Sequence, residues 1–181
     1  MRIIAGEWRG RALAAPEGCE TRPTADRARE GLFSMLASRV GTFEGLHVAD
    51  LFAGTGALGI EALSRGAVHC TFVEKDRGAV AALQQNLSRF FALGRADIRT
   101  QAVEYASPPT RPCDIVLMDP PYATGLAALA LSRIGSPAWV APAGLLSVET
   151  DGERLDPPPG FAVETERRFG KAHILLLRRE S

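Results

Sequence analysis

The sequence predicts an α/β domain built on a doubly wound, mostly parallel sheet with one reversed strand. Three observations carry that expectation. Apolar runs of strand length, near 46–51, 70–74, 114–118 and 144–149, stop at acids or at glycine and proline loops. Stretches with apolar residues at helical spacing alternate with those runs, as crossover connections between parallel strands require. The first core strand runs into Gly54-Thr-Gly56-Ala-Leu-Gly59, a glycine turn that opens a helix. At 181 residues the chain suffices for one such domain and is too short for two ordinary ones. We assign a small hairpin extension to residues 1–20 and the main domain to 21–181.

Residues 1–15 read as a hairpin of two short strands punctuated by Gly6 and Gly10. Arg2, Arg9 and Arg11 with Trp8 suit a nucleic-acid strand, because guanidinium forks bind phosphates and an indole stacks on a base. A solvated hairpin with a half-buried tryptophan is the plainer alternative. Next, Arg22-Pro-Thr24 leads into a helix with Thr24 as its cap, Asp26 in its first turn, and Leu32, Phe33, Leu36 and Val40 on one face. Arg22, Arg27 and Arg29 exceed what solubility of that helix needs, although some can simply pair with Asp26 and Glu30.

In the strand and turn at 46–59, Gly54 and Gly56 permit a tight turn and close ligand approach, and Gly59 permits close helix packing. Glu74 ends the next strand twenty residues after Gly54, and its two oxygens suit both hydroxyls of a ribose. That spacing also fits NAD. Asp50 argues against NAD, since an acid beside the turn repels a pyrophosphate on the helix N-terminus and favours a ligand with a cationic amine. S-adenosylmethionine carries such an amine, while Asp50 as a cap for loop N–H groups is the structural alternative.

Asp76 opens a helix with Val80, Leu83, Leu87 and Phe90 on its buried face, and Asp97–Gln101 is a weakly patterned third strand. After Tyr122, Leu126, Leu129, Ala130 and Ile134 suggest a helix. Gly144–Glu149 reads as a fifth strand, and Phe161–Phe169 with Ala172–Leu177 as a closing hairpin turning at Gly170-Lys171.

Composition removes several function classes. Twenty-one basic and twenty-one acidic residues cancel, with a pI near 6.8, so any RNA contact must come from a local patch. Only Lys75 and Lys171 are lysines. With no long apolar span and no basic, apolar N-terminus with a cleavage site, neither membrane insertion nor secretion is expected. Cys19, Cys70 and Cys113 are odd in number and widely spaced, fitting neither a disulfide framework nor a zinc site, and a reducing cytoplasm is the expected compartment.

The chemistry is expected at Asp114-Ile-Val-Leu-Met-Asp-Pro-Pro-Tyr122. A buried strand stops there, and the two prolines fix the loop that follows. Asp119 and the Pro120 carbonyl can accept both N–H bonds of a planar amine, Pro121 stiffens the turn, and Tyr122 can cover the ring. Asp119-Pro-Pro-Tyr122 resembles the [DN]-P-P-[YF] motif of methyltransferases acting on exocyclic amino groups of bases. A proline turn packed under an aromatic is the bland alternative.

Taken together, Arg2-Ile-Ile-Ala-Gly, Arg9-Gly-Arg11, Arg22-Pro-Thr with Arg27 and Glu30-x-Leu-Phe33, the long stretch from Asp50 through Phe52, Gly54 and Gly56 to Gly66, and Asp119–Tyr122 resemble the RsmD family nearly end to end. The resemblance implies a seven-stranded class I methyltransferase fold and S-adenosylmethionine as donor. It also implies N2 of one guanine in 16S ribosomal RNA of the small subunit or its assembly intermediate as the target. It extends the donor site over Asp50, Phe52, Gly54, Gly56, Glu74, Gln101 and Ala102, and RNA contact over Arg9, Arg11, Arg22 and Arg27. Gln101 stands where this class commonly places an acid for the adenine amine, and its side-chain carbonyl can still accept that bond. A monomer without metal is expected.

Two rivals remain at this stage: a DNA adenine-N6 methyltransferase, which shares the four-residue motif but usually adds a target-recognition segment, and a nucleotide-binding module without catalysis. Cys113 as a pyrimidine-attacking nucleophile is disfavoured because it begins a strand, whereas ligands gather at the carboxyl ends. His47 and His69 also precede strands, His173 falls in the closing hairpin, and all three read as structural.

Overall fold

A computed structural model describes the backbone of residues 1–15 and 23–181 and the side chains of 1–15 and 26–181. Cys19 and Arg22 lie outside the described residues. In chain order the elements are α1 (Pro23–Val40), β1 (His47–Leu51), α2 (Ala57–Ser64), β2 (His69–Glu74), α3 (Arg77–Arg89), β3 (Ala96–Thr100), β4 (Cys113–Met118), α4 (Leu126–Ile134), β5 (Val140–Thr150), β6 (Phe161–Phe169) and β7 (Ala172–Arg179). Seven strands form one sheet in the order β3-β2-β1-β4-β5-β7-β6. The first five run parallel, and β7 runs antiparallel to both its neighbours. The expected doubly wound sheet with one reversed strand is therefore present.

Alternation along each central strand sends side chains to opposite faces. Val48, Cys70, Phe72, Ile115, Leu117 and Leu176 pack under α1, α2 and α3, where Phe33, Leu36, Ile60, Leu63, Leu83 and Leu87 are buried. Ala49, Leu51, Val73, Val116, Met118 and Val148 pack on the other face against Ala127, Ala130, Leu131 and Ile134 of α4. Each large side chain so buried contributes about 1.5–3 kcal/mol. Both faces are covered, which is why the strands read as continuous apolar runs. The core face of α4 differs from the expected one in part, since Leu129 is exposed and Leu126 is half-buried.

Asp76 caps α3 as expected, its Oδ1 accepting from Ala79 N at 2.7 Å. Thr24 is not the cap of α1: the helix already begins at Pro23, whose fixed φ and missing N–H suit a first turn. In the N-terminal segment a single antiparallel bridge, Arg2 with Ala12, replaces the two strands expected. The segment is held by side chains from the helices instead. Buried Glu61 of α2 accepts from Ile4 N at 2.8 Å and Ala5 N at 3.0 Å and pairs with Arg65 at 2.8 Å. Ser64 Oγ accepts from Trp8 N at 3.0 Å and donates to the Ala5 carbonyl at 2.7 Å.

Trp8 is the clearest departure from expectation. It is 4% exposed and stacks on Phe90 with ring centroids 4.9 Å apart, so it anchors the segment to α3 and presents no surface to a base. Asn86, also buried, closes the link to the glycine turn: its Oδ1 accepts from Ala14 N at 2.7 Å, and its Nδ2 donates to Ala14 O at 3.0 Å and Thr55 O at 3.1 Å.

Candidate active site

The strand register lines up the residues that follow β1 to β5 across one end of the sheet. Leu51 pairs with Val73 and Met118, Glu74 with Thr100, and Met118 with Val148. The carboxyl ends therefore bring Gln101, Glu74, Phe52, Asp119 and Glu149 into a row. Such ends are where open α/β sheets bind ligands.

A cleft of about 470 Å³, part of it open to solvent, lies along that row and is lined by Phe52, Glu74, Gln101, Ala102, Asp119 and Pro121. Lys75, Val73, Val103, Glu104 and Leu126 complete the wall. Of these, Glu104 and Lys75 are polar groups that sequence reasoning missed, because the short helical turn Val103–Tyr105 that presents Glu104 has no periodic signature.

Phe52 has φ of +64°, a left-handed conformation that costs a bulky residue energy and here turns the chain out of β1 into the cleft wall. Gly54 follows at φ +54°, and a Cβ built on it would meet no atom within 4 Å, so that side of the turn stands open. Gly59 is needed for packing, since a Cβ there would lie 2.3 Å from the Phe72 ring.

Two acids brace the turn. Asp50 is buried, its Oδ2 accepts from Gly59 N at 2.7 Å, and burial pushes its carboxyl well above the usual range against the pull of that N–H. The capping alternative thus holds for this carboxylate. Glu74 accepts from Gly54 N through Oε2 and from Asp76 N through Oε1, both at 2.8 Å. Each carboxylate oxygen has a second lone pair, so these bonds leave Glu74 able to accept from hydroxyls in the cleft. The backbone N–H of Gln101 donates to Glu74 O at 3.0 Å, fixing the far wall.

Asp119 is exposed into the cleft it lines, and desolvation by the surrounding walls, with the charge of Glu149 nearby, pushes its carboxyl up to about 7. Pro120 is buried, whereas Pro121 and Tyr122 are exposed. Tyr122 donates its hydroxyl to Glu149 Oε1 at 2.5 Å, and burial together with that carboxylate raises the phenol's pKa. Pro120, Tyr122 and Glu149 line a second, shallower cleft, and Pro121 lines both. The four residues of the motif therefore stand at the junction of two hollows.

The basic residues do not converge. Arg27 is exposed in the early part of α1. Arg11 donates to Arg89 O at 2.8 Å and lies 4.6 Å over the Phe90 ring, at the end of α3 and thus at the opposite, amino edge of the sheet. Arg9 is exposed in the turn that rests on Ser64 at the end of α2, on that same edge. Cys113, buried and pushed up to about 12 by burial, also lies at the amino edge, with His47 and His69, whose rings are 5.7 Å apart. His173 is paired with Glu166 at 3.6 Å. Among the described residues no group of three or more His, Cys, Asp or Glu is placed to hold a metal ion, and no helix is long and apolar enough to cross a membrane.

Comparison with known proteins gives concordant results. Residues 1–178 match the family model described as "Conserved hypothetical protein 95". The chain is 36% identical over 183 residues to "Ribosomal RNA small subunit methyltransferase D" of Escherichia coli strain K12, covering 100% of this chain and 91% of that one. Among solved structures it superposes on yhhF from Escherichia coli with a TM-score of 0.86 at 36% identity, over 100% of this chain and 98% of that one. Magnesium protoporphyrin IX methyltransferase from Synechocystis PCC 6803, solved with bound SAM, shares the fold with a TM-score of 0.70 at 18% identity, over 90% and 87% of the two chains.

Proposed function

The chain belongs to the RsmD family, by a match over nearly its whole length, and on that premise we propose that it transfers a methyl group from S-adenosylmethionine to N2 of a guanine in 16S ribosomal RNA. The observation that carries this reading is the row of strand ends. It puts Asp119 in the wall of the same cleft as Glu74 and Gln101, so an amine acceptor and a nucleoside site share one hollow.

The cleft suits the donor. The open face of Gly54 admits close approach, Glu74 retains lone pairs for a ribose diol, and Gln101 and Ala102 flank space for an adenine. Asp50 braces the turn from beneath through Gly59 N, and a cationic amine bound above it would draw its raised carboxyl back toward the ionised form. When bound, S-adenosylmethionine provides an electrophilic methyl on a sulfonium. The chain's own residues prepare the acceptor. Guanine N2 is a poor nucleophile because its lone pair is delocalised into the ring. Asp119 and the Pro120 carbonyl accept the two amine hydrogens, which draws the nitrogen toward tetrahedral geometry and stabilises the positive charge that develops on it. Tyr122 covers the face of a base that has left its stack. Arg27, with Arg22, Arg9 and Arg11, supplies phosphate contacts, and the two edges on which the described arginines lie require RNA that wraps the α1 and α2 side. The protein acts as a monomer in the cytoplasm on the small subunit or its assembly intermediate.

The test is to map methylated nucleotides in ribosomal RNA from cells with and without this protein. One N2-methylguanine in 16S RNA that disappears on deletion is expected. An unchanged 16S RNA, or a lost mark on adenine, refutes the reading.

A further inference from the structure

Glu149 takes no part in holding the donor or in the acceptor pair just described, yet it stands beside both. Met118 of β4 pairs with Val148 of β5, so the next residues, Asp119 and Glu149, emerge side by side at the carboxyl edge. Glu149 is half-buried, and its Oε1 is fixed by the Tyr122 hydroxyl at 2.5 Å. Among the described residues its Oε2 has no hydrogen-bond partner. The carboxylate lines the hollow formed with Pro120 and Tyr122, which meets the donor cleft at Pro121. A half-buried carboxylate, clamped through one oxygen and bare at the other, is an acceptor waiting for a donor.

Guanine offers that donor. Its ring N1–H sits next to the exocyclic N2 amine, so an edge that presents the amine to Asp119 presents N1–H to a neighbouring acceptor. Adenine carries a lone pair at the ring nitrogen beside its amine, which a carboxylate repels. We propose that Glu149 is the residue that selects guanine, its free oxygen accepting N1–H while Asp119 and the Pro120 carbonyl hold the reacting amine; this rests on the guanine-N2 reading above. Burial raises the Glu149 carboxyl, and the bond from Tyr122 works against that rise.

The test uses the full chain and small-subunit particles assembled from 16S RNA carrying either guanine or 2-aminopurine at the methylated position. The analogue keeps the exocyclic amine and lacks N1–H together with the carbonyl oxygen at position 6, so the variant is needed to assign any preference to Glu149. The wild-type protein should favour guanine in kcat/KM by about ten- to hundredfold, the scale of one charge-assisted hydrogen bond. Glu149→Gln should bring that ratio to within about twofold, because an amide both accepts from N1–H and donates to a bare ring nitrogen, while affinity for S-adenosylmethionine stays unchanged. Equal use of both bases by the wild-type protein, or a wild-type ratio retained in Glu149→Gln, overturns the proposal. If Glu149→Gln does not fold, Glu149→Ala serves in its place, and a wild-type ratio retained there overturns the proposal. A guanine particle that acquires its methyl on an atom other than N2 overturns the underlying reading too, and nucleoside analysis of the product separates that failure from loss of selectivity alone.

Discussion

Glu74 Oε2 accepts the N–H of Gly54 at 2.8 Å, joining the acid that ends β2 to the turn that follows β1. One side chain thereby shapes the cleft and lines it. Glu74→Ala should weaken binding of S-adenosylmethionine at least tenfold, the scale of a hydrogen bond to a charged group at about 1.5–3 kcal/mol. Glu74→Gln, which keeps one acceptor oxygen, should fall between. Titration calorimetry checks both, and an unaltered Kd in Glu74→Ala would remove this residue from the site.

Asp119→Asn should lower kcat by about a hundredfold or more, a loss like that of one preorganised transition-state acceptor, with donor affinity close to normal. In the wild-type protein the rate should rise with pH through about 7, as the Asp119 carboxyl is pushed up to that value and accepts best when ionised. The inflection belongs to the Asp119 and Glu149 pair jointly. A flat profile between pH 6 and 8 in single-turnover assays would contradict this.

The same shift fixes a sign for stability. A carboxyl raised in the folded state binds more protons there than when unfolded, so its contribution falls as pH rises from the unfolded value toward about 7 and is constant above it. Asp119→Asn should therefore unfold at a higher temperature than wild type at pH 8, with the gain shrinking as pH falls toward 4. Equal gains at both pH values would show that desolvation of Asp119 is not the cause.

Glu61→Ala should cost about 3–5 kcal/mol in denaturant unfolding, since it strips two backbone N–H groups of their acceptor and leaves Arg65 without its partner. A cost below about 1 kcal/mol would mean that the N-terminal segment finds other acceptors.

Arg27→Ala and Arg9→Ala should each lower the salt slope of RNA-particle binding by about one. Arg27 tests the active-site edge and Arg9 the opposite edge. A slope unchanged by Arg9→Ala would confine RNA to the edge that carries Asp119.

The core strands and their ends were legible because β1, β2, β4 and β5 are buried on both faces and their apolar runs stop at a turn or an acid. Asp50, Glu74, Asp119 and Glu149 all stand at such stops. Glu149 was readable by the same signal as Asp119 but lacked the prolines that make the latter conspicuous. Of the two readings of Trp8 the half-buried one came nearer, and it fell short because the sequence shows an indole among arginines without showing Phe90 waiting to stack on it. The hold of Glu61 and Asn86 on the N-terminal segment gave no signal, as the groups they bond there are backbone atoms of residues 4, 5, 14 and 55, which no side-chain pattern reveals.

The position of β7 between β5 and β6 bears on how the polypeptide is made. While β6 is being synthesised it has no neighbour to bond to, and the flank of β5 stays bare until β7 arrives. A ribosome that stalls near Gly170 holds a nascent chain with an open, sticky border, so clearance of that interval should be the moment of greatest exposure to chaperones and to aggregation.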